Sequence, residues 1–297
     1  MFLLILSYVS LFAFIFLSIY KAVQYGKMPM HGRLDLYPIP KEKGKGHYGG
    51  SYYEEVEWWK KPRETSLLEE IIDMLKEMLF IKKLFDNQRP LWWISYSLHL
   101  GIYLLFAWTA LLFIGAITEL AGLAMESGHW WAVLVYYTTF LTGTIGGLLV
   151  AFGSGALFLK RYLVPSFKKY TTVQEYFNLV FIFAVAATGL MVWTSDPGFN
   201  YGRHIAKSML TFRPIEADAI LSIHIILLGL LLIYIPLTKM SHYVGKYFSF
   251  HKVLWDNDPN LPGSEIDKKI KQAAGFKPKN NWSAPHYQPE PPKTQDM

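Results

Sequence analysis

Five apolar blocks, near residues 2–20, 92–118, 130–158, 173–194 and 218–241, alternate along this chain with stretches rich in Lys, Glu, Asp and Pro. Lys239, at the end of the last block, is the only Lys or Arg in any of them. An α-helix rising about 1.5 Å per residue needs roughly 20 apolar residues to cross a hydrocarbon core of about 30 Å. Each block has about that length. Backbone N–H and C=O groups in lipid must be satisfied within the segment, so the blocks predict helices. No period-two alternation supports a membrane β-barrel. The first block lacks a basic n-region and a small-residue cleavage pattern, and we expect it to be retained as a helix.

The pattern divides the chain into a first membrane helix (1–20), a polar segment (21–90), a four-helix membrane region (91–245) and a polar tail (246–297). Within the second part, Ser66 and Glu69 match a capping box, and Leu67, Leu68, Ile71, Ile72, Leu75, Met78 and Leu79 recur at helical spacing. This predicts an amphipathic helix over 66–85 lying in the membrane surface. Pro90 marks entry to the next helix, with Trp92 and Trp93 at headgroup level. The expected fold is therefore all-α: a five-helix transmembrane bundle with one interfacial amphipathic helix and extended cytoplasmic segments. Gly143, Gly146, Gly147, Gly153 and Gly155 in the third block either allow close helix packing or leave room for a planar cofactor.

Charge fixes the expected orientation. Lys and Arg number 13 in residues 21–90, none in 119–129, four in 160–169, three in 195–217 and nine from Lys239 onward. The positive-inside rule then puts a multi-pass protein in the cytoplasmic membrane with its N-terminus outside and its C-terminus in the cytoplasm. The formal net charge of +6 is thereby accounted for without nucleic acid as a partner. Tyr and Trp crowd residues 36–59, and Trp255, Trp282 and Tyr287 are scattered through a Pro-broken tail. We expect residues 33–63 and 254–286 to contact a partner protein.

With no Cys in the chain, an iron–sulfur cluster cannot be ligated here, and metal chemistry rests on His, Met or carboxylates. His99, His224 and His242 lie inside or at the ends of the predicted membrane helices, where ionisable groups are costly and usually functional. His224 and His242 are 18 residues apart, which on one continuous helix is five turns at about 100° per residue. Both imidazoles would then face one side, roughly 27 Å apart along the axis. That arrangement suits two haems stacked across a bilayer. His99 opens the second helix and His242 closes the fifth, so both are expected on the cytoplasmic side as axial ligands of one low-spin haem b. His224 is expected to hold a second, outer haem whose sixth ligand is open, because Thr109 stands ten residues after His99 where another His would be level with it. His129, near the outer surface, is a candidate proton acceptor for a bound quinol; the plain alternative is a solvated loop residue.

The segments Ser97-Leu-His-Leu-Gly-Ile102, Thr142-Gly-Thr-Ile-Gly-Gly147, Gly155-Ala-Leu-Phe-Leu-Lys-Arg161, Asp218 to His224 and Leu237-Thr-Lys-Met-Ser-His242 resemble the membrane cytochrome b family of the respiratory nitrate reductase gamma subunit. The flanks, Leu36-Tyr-Pro-Ile-Pro40, Tyr48 to Trp59, Leu254 to Ser264 and Trp282 to His286, look like those of the cytochrome b subunits of sulfite-reduction and heterodisulfide-reductase complexes. The resemblance implies a quinol-oxidoreductase subunit carrying two haems b and using menaquinol as substrate. It also implies a cytoplasmic iron–sulfur subunit (DsrK-like) as direct partner, together with further membrane subunits. A different class, a cofactor-free membrane anchor that docks a soluble redox enzyme, is the alternative.

Overall fold

The computed structural model of the protein describes residues 1–27, 56, 57, 60, 66–249 and 262–275. Among these, five helices are long and apolar enough to cross a membrane: α1 (Phe2–Lys27), α4 (Arg89–Leu120), α5 (Trp130–Leu163), α7 (Val173–Ser195) and α9 (Ala219–Leu237). Shorter helices complete the order: α2 (Leu67–Phe80), α3 (Lys82–Asn87), α6 (Pro165–Lys168), α8 (Asn200–Thr211), α10 (His242–Ser249) and α11 (Glu265–Ala274). The all-α membrane bundle expected from the sequence is what is found, and the protein is multi-pass. Two compact units are present: Met1–Gly26 with Leu67–Phe248, and Lys27–Ser66 with Ser249–Met297. The site lies in the first. In the second, α11 starts where the Ser264 hydroxyl accepts from the Asp267 amide, a helix the Pro-broken tail did not suggest. Most of the two segments expected to meet a partner lies outside the described residues.

In the first unit α4 runs along α5, α5 along α7 and α7 along α9. Close packing of α4 on α5 rests on glycine. A Cβ on Gly101 would meet the backbone nitrogen of Val150 at 2.8 Å and the carbonyl oxygen of Gly146 at 2.9 Å, and one on Gly153 would lie 2.6 Å from the nitrogen of Leu98. The glycines of α5 therefore serve the helix contact in the way small residues do in lipid. Helix α1 joins through Ser10, whose hydroxyl would be 2.7 Å from a Cβ on Gly229 of α9. Large apolar side chains such as Phe12, Phe16, Phe106 and Phe152 remain on the outside, as lipid-facing surfaces require.

Besides α1 running on past residue 20 to Lys27 and α5 past 158 to Leu163, three features differ from expectation. The amphipathic stretch is two helices, α2 and α3, divided at Ile81, which takes a left-handed φ of 51° that a β-branched residue adopts only at a cost. The polar connection after α7 contains α8, whose mixed composition hid it from a hydropathy scan. The fifth membrane helix stops at Leu237 rather than 241: Pro236 lies inside its last turn, Thr238 is extended, and a 3₁₀ turn over Lys239–Ser241 precedes α10. His242 is thus not on α9, and the five-turn argument that joined it to His224 along one helix does not hold.

Helix α8 closes one end of the bundle against α4 through charge. Arg203, 2% exposed, donates from Nε to Glu119 at 3.3 Å and from a terminal nitrogen to the Gly198 carbonyl at 3.0 Å, and it also meets Asn200. Lys207 forms a second ion pair with Glu119. Nearby, burial and then the Asp196 carboxylate push the Tyr201 phenol well above its ordinary range, so Tyr201 stays neutral within the α8 packing. Removing one member of a buried ion pair strands the other charge. Glu119→Ala is therefore expected to destabilise the folded chain by about 3 kcal/mol in thermal unfolding in detergent, whereas Ala at the exposed Glu126 should change little.

Candidate functional site

The chain's described histidines are His99, His129, His204, His224 and His242, and the fold brings two of them together. His99, nearly three turns into α4, and His242, the first residue of α10, place their ring centres 6.1 Å apart at an interplanar angle of 68°. Each ring is oriented by a backbone carbonyl. His99 Nδ1 donates to the Ser95 oxygen at 2.7 Å, and His242 Nδ1 to that of Lys239 at 3.3 Å. A carbonyl can only accept, so Nδ1 is the donor in both rings, and in the neutral tautomer Nε2 is the nitrogen with the lone pair. This tautomer is the one a metal-ligating imidazole uses, with the second nitrogen held by an acceptor.

His224 stands apart, on the first turns of α9, which begins where Asp218 accepts from the Leu221 amide at 2.8 Å. Its Nδ1 lies 3.1 Å from the Thr188 hydroxyl of α7, and that hydroxyl already donates to the Ala184 carbonyl at 2.9 Å. Thr188 must accept from His224, so here too the proton is on Nδ1 and Nε2 is free. Gly189 makes the room: a Cβ there would be 2.9 Å from His224 Cε1. Next along α7, Leu190 faces Gly147, and the neighbouring Gly146 faces Gly101, Leu104 and Leu105, which places His224 level with the middle of α4. The Thr109 hydroxyl is turned to the Leu105 carbonyl at 2.9 Å.

His129 is exposed and has a structural task. It is the N-cap of α5, its Nδ1 accepting from the Trp131 amide at 3.2 Å. His204, on α8, is exposed as well.

Among the described residues no group of three or more His, Cys, Asp or Glu side chains could enclose a bare metal ion. A haem asks for less, because its macrocycle fills four positions and the protein supplies one or two axial imidazoles. With their ring centres 6.1 Å apart, His99 and His242 are close enough that both could serve one haem iron. Sequence reasoning did not find a further feature near the α8 end. Trp108 Nε1, Trp193 Nε1 and Thr144 Oγ1 are buried with no hydrogen-bond partner among the described residues. Both tryptophans pack against the cluster of Leu112, Ala116, Phe199 and Ala206, Trp108 ring to ring with Phe199 at 5.1 Å. A buried donor left unpaired costs about 1–3 kcal/mol, so two indole N–H groups in one cluster suit the oxygen atoms of a bound ligand. Nothing in the spacing of tryptophans along the sequence signals this.

A family model described as the nitrate reductase gamma subunit matches residues 83–253. The chain is also similar to an Hdr-like menaquinol oxidoreductase cytochrome b-like subunit of Archaeoglobus profundus, 24% identical over 141 residues, covering 41% of this chain and 41% of the relative. The chain thus matches well under two thirds of that relative's length. No solved structure matches it significantly.

The fit of His224 against Gly189 can be tested directly. Gly189→Ala is expected to displace the imidazole and to diminish any optical or EPR signal that His224→Ala abolishes. Gly155→Ala should leave that signal intact, because its new Cβ would meet the Phe183 ring at an ordinary 3.5 Å.

Proposed function

This chain belongs to the nitrate reductase gamma subunit family, and we propose that it is the cytochrome b subunit of a membrane menaquinol oxidoreductase. In this proposal it binds two haems b. His99 and His242 hold the inner one, and His224 holds the outer one with its sixth ligand open. The observation that carries the proposal is the adjacent His99–His242 pair, with each Nδ1 tied to a backbone carbonyl. An anchor without a cofactor has no use for two such imidazoles at one level of the bundle. The similarity to a menaquinol oxidoreductase subunit supports the choice of substrate.

A haem, when bound, supplies reversible one-electron transfer. The chain's own part is to set ligands, dielectric and access. The His224 ring is fixed by Thr188, and the Trp108 and Trp193 indoles offer donors to ligand oxygens near the α8 end. Menaquinol would bind at that end, on the outer side, and electrons would leave at the His99–His242 end toward a cytoplasmic iron–sulfur subunit of the heterodisulfide-reductase type. The finer assignment is to a DsrM-type subunit working in sulfur metabolism with a DsrK-like partner and other membrane subunits. It is supported by the sequence of the flanks. The orientation, C-terminus in the cytoplasm, follows from the Lys and Arg distribution.

His129 would take the quinol's proton. Its Nδ1 lone pair is engaged by the Trp131 amide, so protonation there means releasing the α5 cap. Asn caps helices well but does not titrate. His129→Asn is therefore expected to keep the protein's stability while slowing quinol oxidation and altering its pH dependence; an unchanged pH profile would reduce His129 to a cap.

The main test is spectroscopic. A reduced-minus-oxidised spectrum of the purified protein should show a b-type α-band, and a cofactor-free anchor would show none. His99→Ala and His242→Ala should each remove the same low-spin EPR signal while the His224-dependent signal persists. If both variants retain the wild-type spectrum, the ligand assignment is wrong.

A further inference from the structure

We infer that Glu77 of α2 and Tyr243 of α10 are positioning residues for the His99–His242 pair, and that helices α1 and α2 form the clamp through which they act. This rests on the reading that the pair holds a haem, and it asks what fixes the second imidazole. His99 is carried by a 32-residue helix packed on α5. His242 has no such support, because α9 has ended and Thr238 is extended before the 3₁₀ turn. The hydrogen bond of its own ring, 3.3 Å to Lys239, reaches only into that turn.

The described contacts that tie α10 to the bundle come from the N-terminal part of the chain. The Tyr243 ring stacks on Phe14 of α1 at 6.0 Å, and its hydroxyl is hydrogen-bonded to Ser18 Oγ. Ser18 donates to the Phe14 carbonyl at 2.6 Å, so its oxygen accepts from Tyr243. Two turns along α1, Tyr25 meets Phe248 at 5.8 Å. Lys246, one turn after His242, reaches Glu77 Oε1 at 2.6 Å.

Glu77 is 5% exposed. Its other oxygen accepts from the Lys83 amide at 2.8 Å, across the left-handed break at Ile81. The same carboxylate thus holds the α2–α3 bend and α10 together. Helix α2 is fastened in turn to α4, the helix of His99: Tyr103 donates to the Met78 carbonyl and Trp92 to that of Phe80, both at 2.7 Å. A closed path of contacts therefore runs from His99 through α4, α2, Glu77 and Lys246 to His242. Phe14, Ser18, Tyr25 and Glu77 all precede residue 83, where the family match begins. In this chain, segments outside the shared family region would set the geometry of a ligand within it.

The Glu77 carboxylate also offsets the charge of Lys246, one turn after His242, and so favours the more positive, oxidised state of a bound haem. Two effects then follow from Glu77→Gln in the full-length protein in its membrane. The low-spin EPR signal that depends on His99 should shift in g-anisotropy or convert in part to high-spin, and the midpoint potential of that haem should rise. Glu77→Asp should restore both toward wild type. Tyr243→Phe keeps the stacking on Phe14, deletes only the bond to Ser18, and should perturb the same signal without the rise in potential. The His224-dependent signal serves as the folding control. If Glu77→Gln loses both signals together, it has unfolded and Tyr243→Phe decides alone. Wild-type signal and potential in Glu77→Gln and Tyr243→Phe would overturn the inference while leaving the ligands standing. A signal that survives His99→Ala and His242→Ala would instead remove the reading beneath it.

Discussion

The backbones of α4 and α5 approach so closely that one methyl group on Gly153 would stand 2.6 Å from the amide nitrogen of Leu98, the residue before His99. Lipid offers two apolar helices no hydrophobic gain for associating, so shape fit between them must provide the attraction. Glycine at 101, 146 and 153 lets that fit extend over several turns. It leaves His99 at a fixed depth and azimuth, from which the rest of the site is measured. On the other side, Gly147 receives Leu190, and the next glycine along, Gly189 of α7, receives the His224 ring. A chain of backbone and side-chain approaches thus connects the α4–α5 contact to the isolated histidine as well.

The five spans and the all-α class were legible because they depend on one coarse quantity, the length of apolar sequence relative to a bilayer. Local breaks were not. A hydropathy window runs through Ile235-Pro-Leu-Thr-Lys-Met240 without pause, yet the missing N–H of Pro236 and the extended Thr238 end the helix there. Helix α8 escaped for the opposite reason, because its Arg203, Lys207 and His204 make the segment look like a loop. Arg203 is in fact buried, since Glu119 and the Gly198 carbonyl replace its water.

The site was legible in part, and for a reason that needed correction. Histidine in an apolar helix is conspicuous, so His99, His224 and His242 could be named from the sequence. Periodicity on a single helix was the wrong route to His242, whose ring meets His99 through a broken connection and a separate short helix. The residues that orient the three rings carry no sequence signature: two are backbone carbonyls, and Thr188 is one threonine among many. The unpaired Trp108 and Trp193 were equally hidden, because an indole in a membrane helix is usually read as packing or as an interfacial anchor.

His224 and His242 are held by different physics. His224 is within a regular helix, capped by Asp218 and locked by Thr188 and Gly189, so its freedom is that of α9 itself. His242 begins a short helix that contacts α1 and α2 through the Lys246–Glu77 ion pair, the Tyr243 hydroxyl and aromatic contacts among the described residues. Outer-shell partners tune a metal through the orientation and basicity of its ligands. A rigid shell sets those once. A shell made from a separate element can be displaced, because a change in α2 or α10 would move the His242 ring without disturbing the membrane helices. Helix α2, which carries Glu77, leaves the apolar side chains of Leu67, Leu68, Ile71 and Leu75 exposed. The imidazole of His242 is therefore the one that events at that surface can reach.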